Sequence, residues 1–193
     1  MQSVTAWQRL ESAGVLHTNR RCIDNYFLAA YNWMAEQMRH RLAVRPSETA
    51  LPLWAWYQWQ GQNRRKPDLR ASGHLMKGER AVRIEFEIDD RVVLLSDFEL
   101  WHFVLNYWYL PVSEDDGEAF EKELAKHGLS FFHTKPLPHR KYHERIEKSW
   151  RRIFDLDWSS EGIASPRAEK SIQATLWKLR LDQVKNVQEF IAR

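Results

Sequence analysis

The sequence predicts an α+β fold: a single domain over residues 1–193, in which a small mixed or mainly antiparallel sheet is flanked by helices. Residues 82–88 alternate strictly between apolar and polar side chains, as in a strand with one buried face. Between positions 24 and 42, apolar residues recur at steps of three and four, which is typical of a helix. Helical and strand-like segments do not alternate regularly, so we do not expect a doubly wound parallel sheet.

The N-terminal part of the chain is predicted to contain two helices and an aromatic strand. The first helix covers residues 3–13, with Ser3 or Thr5 as its N-terminal cap. It ends at Gly14, which can adopt the left-handed conformation of a helix C-terminus. The second covers residues 24–42. Residues 51–59 are short and rich in aromatic side chains, which favours a strand. A polar loop over residues 61–70 follows this strand.

The remainder is predicted to begin with a hairpin and to end with a helix. The strand at residues 82–88 is expected to pair with a second strand at residues 92–95. Ser96 or Asp97 then caps a helix that reaches Asn106. The last predicted elements are helices over residues 118–127 and 141–154, a strand within residues 171–179, and a closing helix over residues 182–191.

Composition excludes several classes of protein. The 10 Trp, 6 Tyr and 9 Phe supply ample apolar area for a folded core. No apolar run approaches the roughly 20 residues of a membrane helix, and no signal peptide is apparent, so we expect a cytoplasmic protein without a membrane partner. The single cysteine, Cys22, excludes an intrachain disulfide and zinc sites built from several cysteines, and no metal cofactor is expected.

The charge balance permits an anionic partner without demanding one. The net charge is +3 and the isoelectric point is near 9.0. Residues 135–152 hold seven basic side chains against two acidic ones, a local net charge of +5 that predicts a face for DNA or RNA phosphates. The alternative is a solvated helix surface. The candidate nucleic-acid contacts are Lys135, Arg140, Lys141, Arg145, Lys148 and Arg152.

The aromatic strand and the loop after it form a candidate cofactor site. Aromatic rings can stack on the planar bases of a nucleotide, and guanidinium groups can pair with its phosphates. The alternative is that the tryptophans fill the core and the loop is a basic surface turn. The candidate cofactor-binding residues are Trp56, Tyr57, Arg64, Arg65 and Arg70.

Glu85 and Glu87 are two residues apart on a predicted strand, so their carboxylates leave the same face. Such a pair can divide the roles of acid and base, because proximity separates the two pKa values. The alternative is the solvated side of an amphipathic strand.

Several of these segments resemble an uncharacterised bacterial family. Its marks are the sequence Trp-Ala-Trp-Tyr at residues 54–57 and the loop Lys-Pro-Asp-Leu-Arg at residues 66–70. Further marks are the Ser-Asp at residues 96–97, the helix end from residue 148 to 156, and the strand at residues 173–177. This resemblance spans nearly the whole chain and implies no function.

The order of elements is also similar to that of the ADP-ribosyltransferase toxins of toxin–antitoxin pairs, some of which modify DNA or RNA. The matching parts are the helix end at residues 10–16 and the strand with its following element at residues 171–191. The resemblance implies an ADP-ribosyltransferase-like fold whose cleft holds NAD⁺ as cofactor. It also implies cleavage of the nicotinamide bond and transfer of ADP-ribose to a nucleophile.

The resemblance assigns roles to particular residues. Gln173 and Thr175 would face the reacting ribose, and Arg70 with Arg64 or Arg65 would clamp the pyrophosphate while Trp56 and Tyr57 stack on its rings. The sequence departs from these toxins because the expected catalytic glutamate is absent from the last strand. Either one of the carboxylates Glu169, Glu85 and Glu87 replaces it, or the transferase activity is lost or altered.

Two classes of function follow as hypotheses. The first is an NAD⁺-dependent ADP-ribosyltransferase, as a toxin or phage-defence effector that acts on nucleic acid. The second is a non-enzymatic module that binds nucleic acid or protein through the basic helix and exposed aromatic rings. A neutralised toxin bound to an antitoxin is a further possibility.

Overall fold

The computed structural model describes residues 1–44, 46–47, 49–63, 66–70, 75–133 and 135–193. Helices and strands are mixed, and three strand pairs of the described residues are antiparallel, so the α+β prediction is confirmed. The helices are α1 (Val4–Ala13), α2 (Leu28–Arg41), α3 (Phe98–Leu105), α4 (Glu114–Lys126) and α5 (Arg140–Trp150). The strands are β1 (Gln2–Ser3), β2 (Val15–Leu16), β3 (Leu53–Gln58), β4 (Arg80–Phe86), β5 (Leu94–Asp97), β6 (Ile172–Leu176), β7 (Leu179–Arg180) and β8 (Val184–Ile191).

The chain divides into two compact units. Unit 1 comprises Met1–Trp56, Lys66–Leu94 and Ala174–Arg193, and unit 2 comprises Tyr57–Arg65 and Leu95–Gln173. Strands β3, β6 and β5 form a sheet in that order. The single domain predicted over residues 1–193 stays a prediction.

Unit 1 contains the other two sheets and α1 and α2. Strands β1, β4 and β8 form an antiparallel sheet with β4 in the centre, and β2 pairs with β7. The Ser3 hydroxyl accepts a hydrogen bond from the Ala6 amide at the start of α1, and Gly14 ends the helix at φ 70°. Its buried Leu10 joins Leu16, Leu176 and Leu179 in the core.

Unit 2 contains α3, α4 and α5, and α3 packs against α5. The Asp97 side chain caps α3 by accepting hydrogen bonds from the Glu99 and Leu100 amides. Helix α4 begins at Glu114, four residues earlier than predicted, because the Ser113 hydroxyl accepts a hydrogen bond from the Asp116 amide. Three acidic residues in the first turn of α4 also favour this start through the helix dipole.

Two predicted elements are wrong. The hairpin between residues 82–88 and 92–95 does not form, because β8 pairs along the full length of β4 while β5 lies beside β6. The closing helix predicted over residues 182–191 is the strand β8. A bulge between Glu85 and Phe86 lets Val184 pair with Phe86 and Val187 with Ile84, so the apolar three-residue spacing arises within a strand.

Candidate functional site

The predicted catalytic carboxylate Glu85 lies in unit 1 and is held by two cations. Its Oε2 lies 2.5 Å from Lys66 Nζ, and its Oε1 lies 3.0 Å from Arg83 Nη2. The hydrogen bond from Lys66 is the main reason that the pKa of Glu85 is lowered. Glu87 pairs with Lys185 at 3.3 Å. Both carboxylates therefore already have cationic partners within unit 1.

The aromatic candidates Trp56 and Tyr57 are neighbours on β3. Successive side chains of a strand leave opposite faces, so the two rings cannot line the same side of it. Trp56 is partly buried, whereas 54% of Tyr57 is exposed. Tyr57 is therefore the more accessible ring for stacking.

The predicted pyrophosphate clamp is only partly described. Arg64 and Arg65 lie outside the described residues. Arg70 forms a two-pronged contact with Asp68, with Nε 3.0 Å from Oδ1 and Nη2 2.9 Å from Oδ2. These hydrogen bonds lower the pKa of Asp68 to about 2. A phosphate would have to compete with this carboxylate for Arg70.

Gln173 and Thr175, the candidates for the reacting ribose, are buried on β6. Thr175 is fully buried, and its hydroxyl donates a hydrogen bond to the Leu94 carbonyl at 3.0 Å. Gln173 is 9% exposed, and its Oε1 has no hydrogen-bond partner in the described part of the chain. The Thr175 hydroxyl is thus used in a hydrogen bond to the backbone of β5, whereas the Gln173 side-chain oxygen is an unsatisfied acceptor.

Most of the predicted nucleic-acid contacts on and around α5 are paired within unit 2. Glu123 on α4 accepts from Lys141 at 3.3 Å and from Arg145 at 2.8 Å. Arg140 pairs with Glu144. Lys135 donates to the Asn106 carbonyl, and Arg152 donates to the Leu110 carbonyl.

Lys148 is exposed, as is its neighbour Arg151, and neither side chain forms a hydrogen bond or ion pair within the described ranges. These two are the basic side chains of residues 135–152 without a partner there, whereas the hydrogen bonds of Lys135 and Arg152 to carbonyls leave their charges in place.

A polar cavity of about 760 Å³ lies in unit 2. Its volume falls within the range of about 300–1,000 Å³ that is usual for small-molecule sites. Four carboxylates and one ammonium group are among its lining side chains, so its wall carries net negative charge. The lining consists of Gln60, Asp97, Glu99, Leu100, residues 159–166, Glu169, Lys170 and Ser171.

Hydrogen bonds to its backbone carbonyls fix the cavity segment that carries Glu169 and Lys170. The Gln58 side chain donates to the Lys170 carbonyl at 2.9 Å, and the Gly61 amide donates to the same oxygen at 3.2 Å. A Cβ at Gly61 would lie 2.9 Å from the Ala168 carbonyl oxygen, and φ there is 93°, so only glycine fits without strain. Gln60 has φ 50°, a conformation that is uncommon for a residue with a side chain and occurs at ligand sites.

Lys170 and Asp97 form a buried ion pair in the cavity wall. Lys170 Nζ lies 2.7 Å from Asp97 Oδ2 and 3.0 Å from the Trp158 carbonyl oxygen. Each residue is only 2% exposed. A buried ion pair adds little net stability compared with apolar side chains of similar size. We therefore attribute to this pair the positioning of the cavity wall or of a ligand bound there.

The sequence predicts no cavity here, although two of the lining residues have predicted roles. Asp97 was expected only as a helix cap, and Glu169 only as a replacement for the missing glutamate. Lys170, Gln60 and Ser171 carried no recognisable motif. Lys170 is 73 positions from Asp97, and no local pattern predicts a pair at that separation.

Two searches of the described residues were negative. None of the helices there combines the length and apolar character that crossing a membrane requires. No group of three or more His, Cys, Asp or Glu side chains in those residues is arranged to hold a metal ion.

Comparison with known proteins identifies a family for the chain. No curated protein and no solved structure matches it significantly. The family described as "Domain of unknown function (DUF3841)" matches residues 1–185, which include the aromatic strand, the cavity and all the predicted site residues. The resemblance to ADP-ribosyltransferase toxins has no counterpart among these matches. Because the match covers nearly the whole chain, the protein belongs to the DUF3841 family.

Proposed function

We propose that the protein binds the nicotinamide half of NAD⁺ in the polar cavity of unit 2 and transfers ADP-ribose to a nucleophile. One observation carries the proposal: Glu169, a candidate replacement for the missing catalytic glutamate, lines this cavity. Its side chain is exposed and forms no ion pair within the described ranges. Glu85 and Glu87, the other candidates, are already paired with cations.

The charge of the cavity suits one half of this ligand. The oxidised nicotinamide ring is cationic, and the wall carries Asp97, Glu99, Glu161 and Glu169 against a single lysine. Because Lys170 is paired with Asp97, the wall offers little attraction for the pyrophosphate. We therefore assign the cavity to the nicotinamide and its ribose.

The chemistry requires a carboxylate beside the ribose. When the bond between ribose C1 and the nicotinamide nitrogen breaks, nicotinamide leaves as a neutral molecule with the bonding electrons. Positive charge then develops on the ribose, as in glycoside hydrolysis, and the Glu169 carboxylate stabilises that charge. The acceptor attacks C1 and gives up its proton to a base, a step that the same carboxylate can perform.

Nicotinamide release from NAD⁺ tests this proposal, with DNA, RNA or cell lysate supplied as acceptor. Glu169→Gln keeps the shape of the side chain and removes its charge, so we expect the rate to fall by about 10²-fold or more. Glu11→Gln is the control because Glu11 is exposed on α1 in unit 1. An unchanged rate in Glu169→Gln, or neither NAD⁺ binding nor nicotinamide release by the natural chain, would show the proposal to be wrong.

Nucleic-acid binding without catalysis is a second candidate function. It is favoured by two exposed and unpaired cations, Lys148 and Arg151, in the basic segment, which comprises residues 135–152. They are three positions apart at the end of α5 and its following turn, so they project to neighbouring points of that surface. Oligonucleotide binding at several salt concentrations tests this candidate.

A further inference from the structure

Unit 2 contains a second, smaller pocket with an aromatic wall, which we call the aromatic pocket. Its volume is about 250 Å³, below the roughly 300 Å³ at which sites for drug-sized ligands begin. It therefore suits a single chemical group better than a whole cofactor. The lining consists of Phe103, Trp108, Tyr109, Pro111, Gly117, Phe120, Glu121, Phe131 and Phe132.

The rings of the aromatic pocket are inclined to one another. The Phe103 and Trp108 rings are 6.1 Å apart at 82°, and the Trp108 and Phe132 rings are 6.4 Å apart at 56°. Differently inclined rings can present faces and edges to one small group from several sides. Phe132 is 60% exposed, so one wall of the pocket is accessible from solvent.

Hydrogen bonds fix the backbone at Trp108. Its amide donates to the Phe103 carbonyl at 2.8 Å, and its carbonyl accepts from Trp150 Nε1 at 2.7 Å. The preceding residue, Tyr107, has φ 59°, which turns the chain sharply after α3. The aromatic pocket is thus largely preformed, which lowers the entropy cost of filling it.

One carboxylate on the pocket wall is uncompensated. Glu121 is exposed and forms no ion pair in the described part of the chain. On the same helix, Glu123 pairs with Arg145 and Glu118 pairs with Lys122. Glu121 therefore leaves the aromatic pocket with a net negative charge.

Two rings of the pocket already attract a cation of the protein itself. The Arg145 guanidinium lies 4.6 Å from the centre of the Phe120 ring and 5.3 Å from that of Tyr109. Ring faces attract cations because of their quadrupole, most strongly where water is excluded. Aromatic rings combined with a free carboxylate are complementary to a cation that carries apolar substituents.

We propose that the aromatic pocket binds an alkylated ammonium group, such as a quaternary ammonium. Its methyl groups fill the apolar volume, its charge is attracted by the ring faces, and Glu121 supplies the balancing negative charge. A neutral apolar group would gain the first of these contributions only. An unmethylated ammonium is more strongly hydrated and loses more on entering an apolar pocket.

Binding of choline, compared with that of its neutral analogue 3,3-dimethylbutan-1-ol, tests the proposal. The two molecules have nearly the same shape, and only choline is charged. We expect saturable NMR shifts for choline, with the neutral analogue binding about tenfold more weakly. Equal binding of the two would identify a purely apolar pocket, and no binding of choline would also overturn the proposal.

Variants locate the binding to this pocket. Phe132→Ala should weaken choline binding, and it should fold because the ring is mostly exposed. Glu121→Gln should weaken binding of choline and leave binding of the neutral analogue unchanged. Tyr26→Ala, at a similarly exposed ring in unit 1, and Glu114→Gln, on α4 outside the pocket, are the controls. Choline binding that is unaffected by both pocket variants would contradict the assignment.

Discussion

The Lys170–Asp97 pair illustrates how single side chains shape the candidate site. Both charges are almost fully removed from solvent, and Asp97 also accepts two amide hydrogen bonds at the start of α3. The pair therefore links the cavity wall to a helix terminus within unit 2. Replacing one partner leaves the other as an uncompensated buried charge, which is far more costly than removing both.

Lys170→Met is predicted to lower the free energy of unfolding by about 3–5 kcal/mol, because it isolates the Asp97 carboxylate. The double variant Lys170→Met with Asp97→Asn should be more stable than Lys170→Met alone, since asparagine is neutral and still caps a helix. Denaturant unfolding of both variants measures the difference.

Lys178→Met is the matched control, because Lys178 is exposed in unit 1. Its effect should stay within about 0.5 kcal/mol. A loss of stability in Lys170→Met no larger than in this control would contradict the role given to the buried pair.

The helices were easier to predict than the strands because their signals are local. Ser3 and Gly14 bracket α1 within a short stretch of sequence, and both act as predicted. A strand is stabilised by partners that are distant in sequence. For β4 those partners are β1 and β8, at opposite ends of the chain, which explains why the predicted hairpin with β5 was wrong.

Strand β8 is a case in which tertiary pairing overrides a helical pattern. Val184, Val187 and Phe190 are spaced by three, which suggests a helix when the sequence is read alone. The bulge opposite Glu85 and Phe86 reconciles the spacing of the first two with a strand. The partner strand therefore determines how this pattern is used.

Substitutions at Asn186, an exposed position of β8, distinguish a strand from a helix. Threonine is favoured over alanine in a strand, on a scale that spans about 1 kcal/mol, whereas alanine is favoured in a helix. Asn186→Thr is thus predicted to be more stable than Asn186→Ala. Thermal unfolding compares the two variants. Because both lack the asparagine side chain, its loss does not affect their order. The reverse order would indicate a helix at this position.

The charge of the whole molecule is mild, and its distribution matters more than its sum. The net charge is +3, and the local excess on residues 135–152 is offset only in part once the chain folds, because Lys135 and Arg152 donate to uncharged carbonyls. Glu123 of α4 alone contacts two of the six predicted nucleic-acid residues. Long-range attraction of a polyanion should consequently be weaker than the sequence suggests.

The salt dependence of oligonucleotide binding measures how many cations remain available. If Lys148 and Arg151 alone contact phosphates, the slope of log K against log salt should be about −1.8 for duplex DNA. If all six predicted residues contact phosphates, the slope should be about −5.4. In the first case, the double variant Lys148→Gln with Arg151→Gln should no longer show the slope of about −1.8. Lys178→Gln is the control and should leave the slope unchanged. A slope near the larger value would mean that the internal ion pairs open on binding.

The candidate site could be predicted from sequence only in part. Glu169 was proposed as a carboxylate that replaces the missing glutamate, and it lines the polar cavity. The grouping of Trp56 with Tyr57 followed from adjacency in sequence, although adjacent residues of a strand face opposite ways. The aromatic pocket was not predicted, because its rings come from three separate stretches between residues 103 and 132.

By itself, the sequence determined the α+β class, the caps that begin and end α1, and the positions of most helices and strands, because each depends on neighbours within a few residues. Only the tertiary structure decided the partners of β4, the strand character of β8, the pairing of the basic segment with α4, and the cavity around Lys170 and Asp97. These features depend on contacts between residues far apart in the chain. Such contacts are selected by burial and charge pairing in three dimensions, which leave no regular spacing in the sequence.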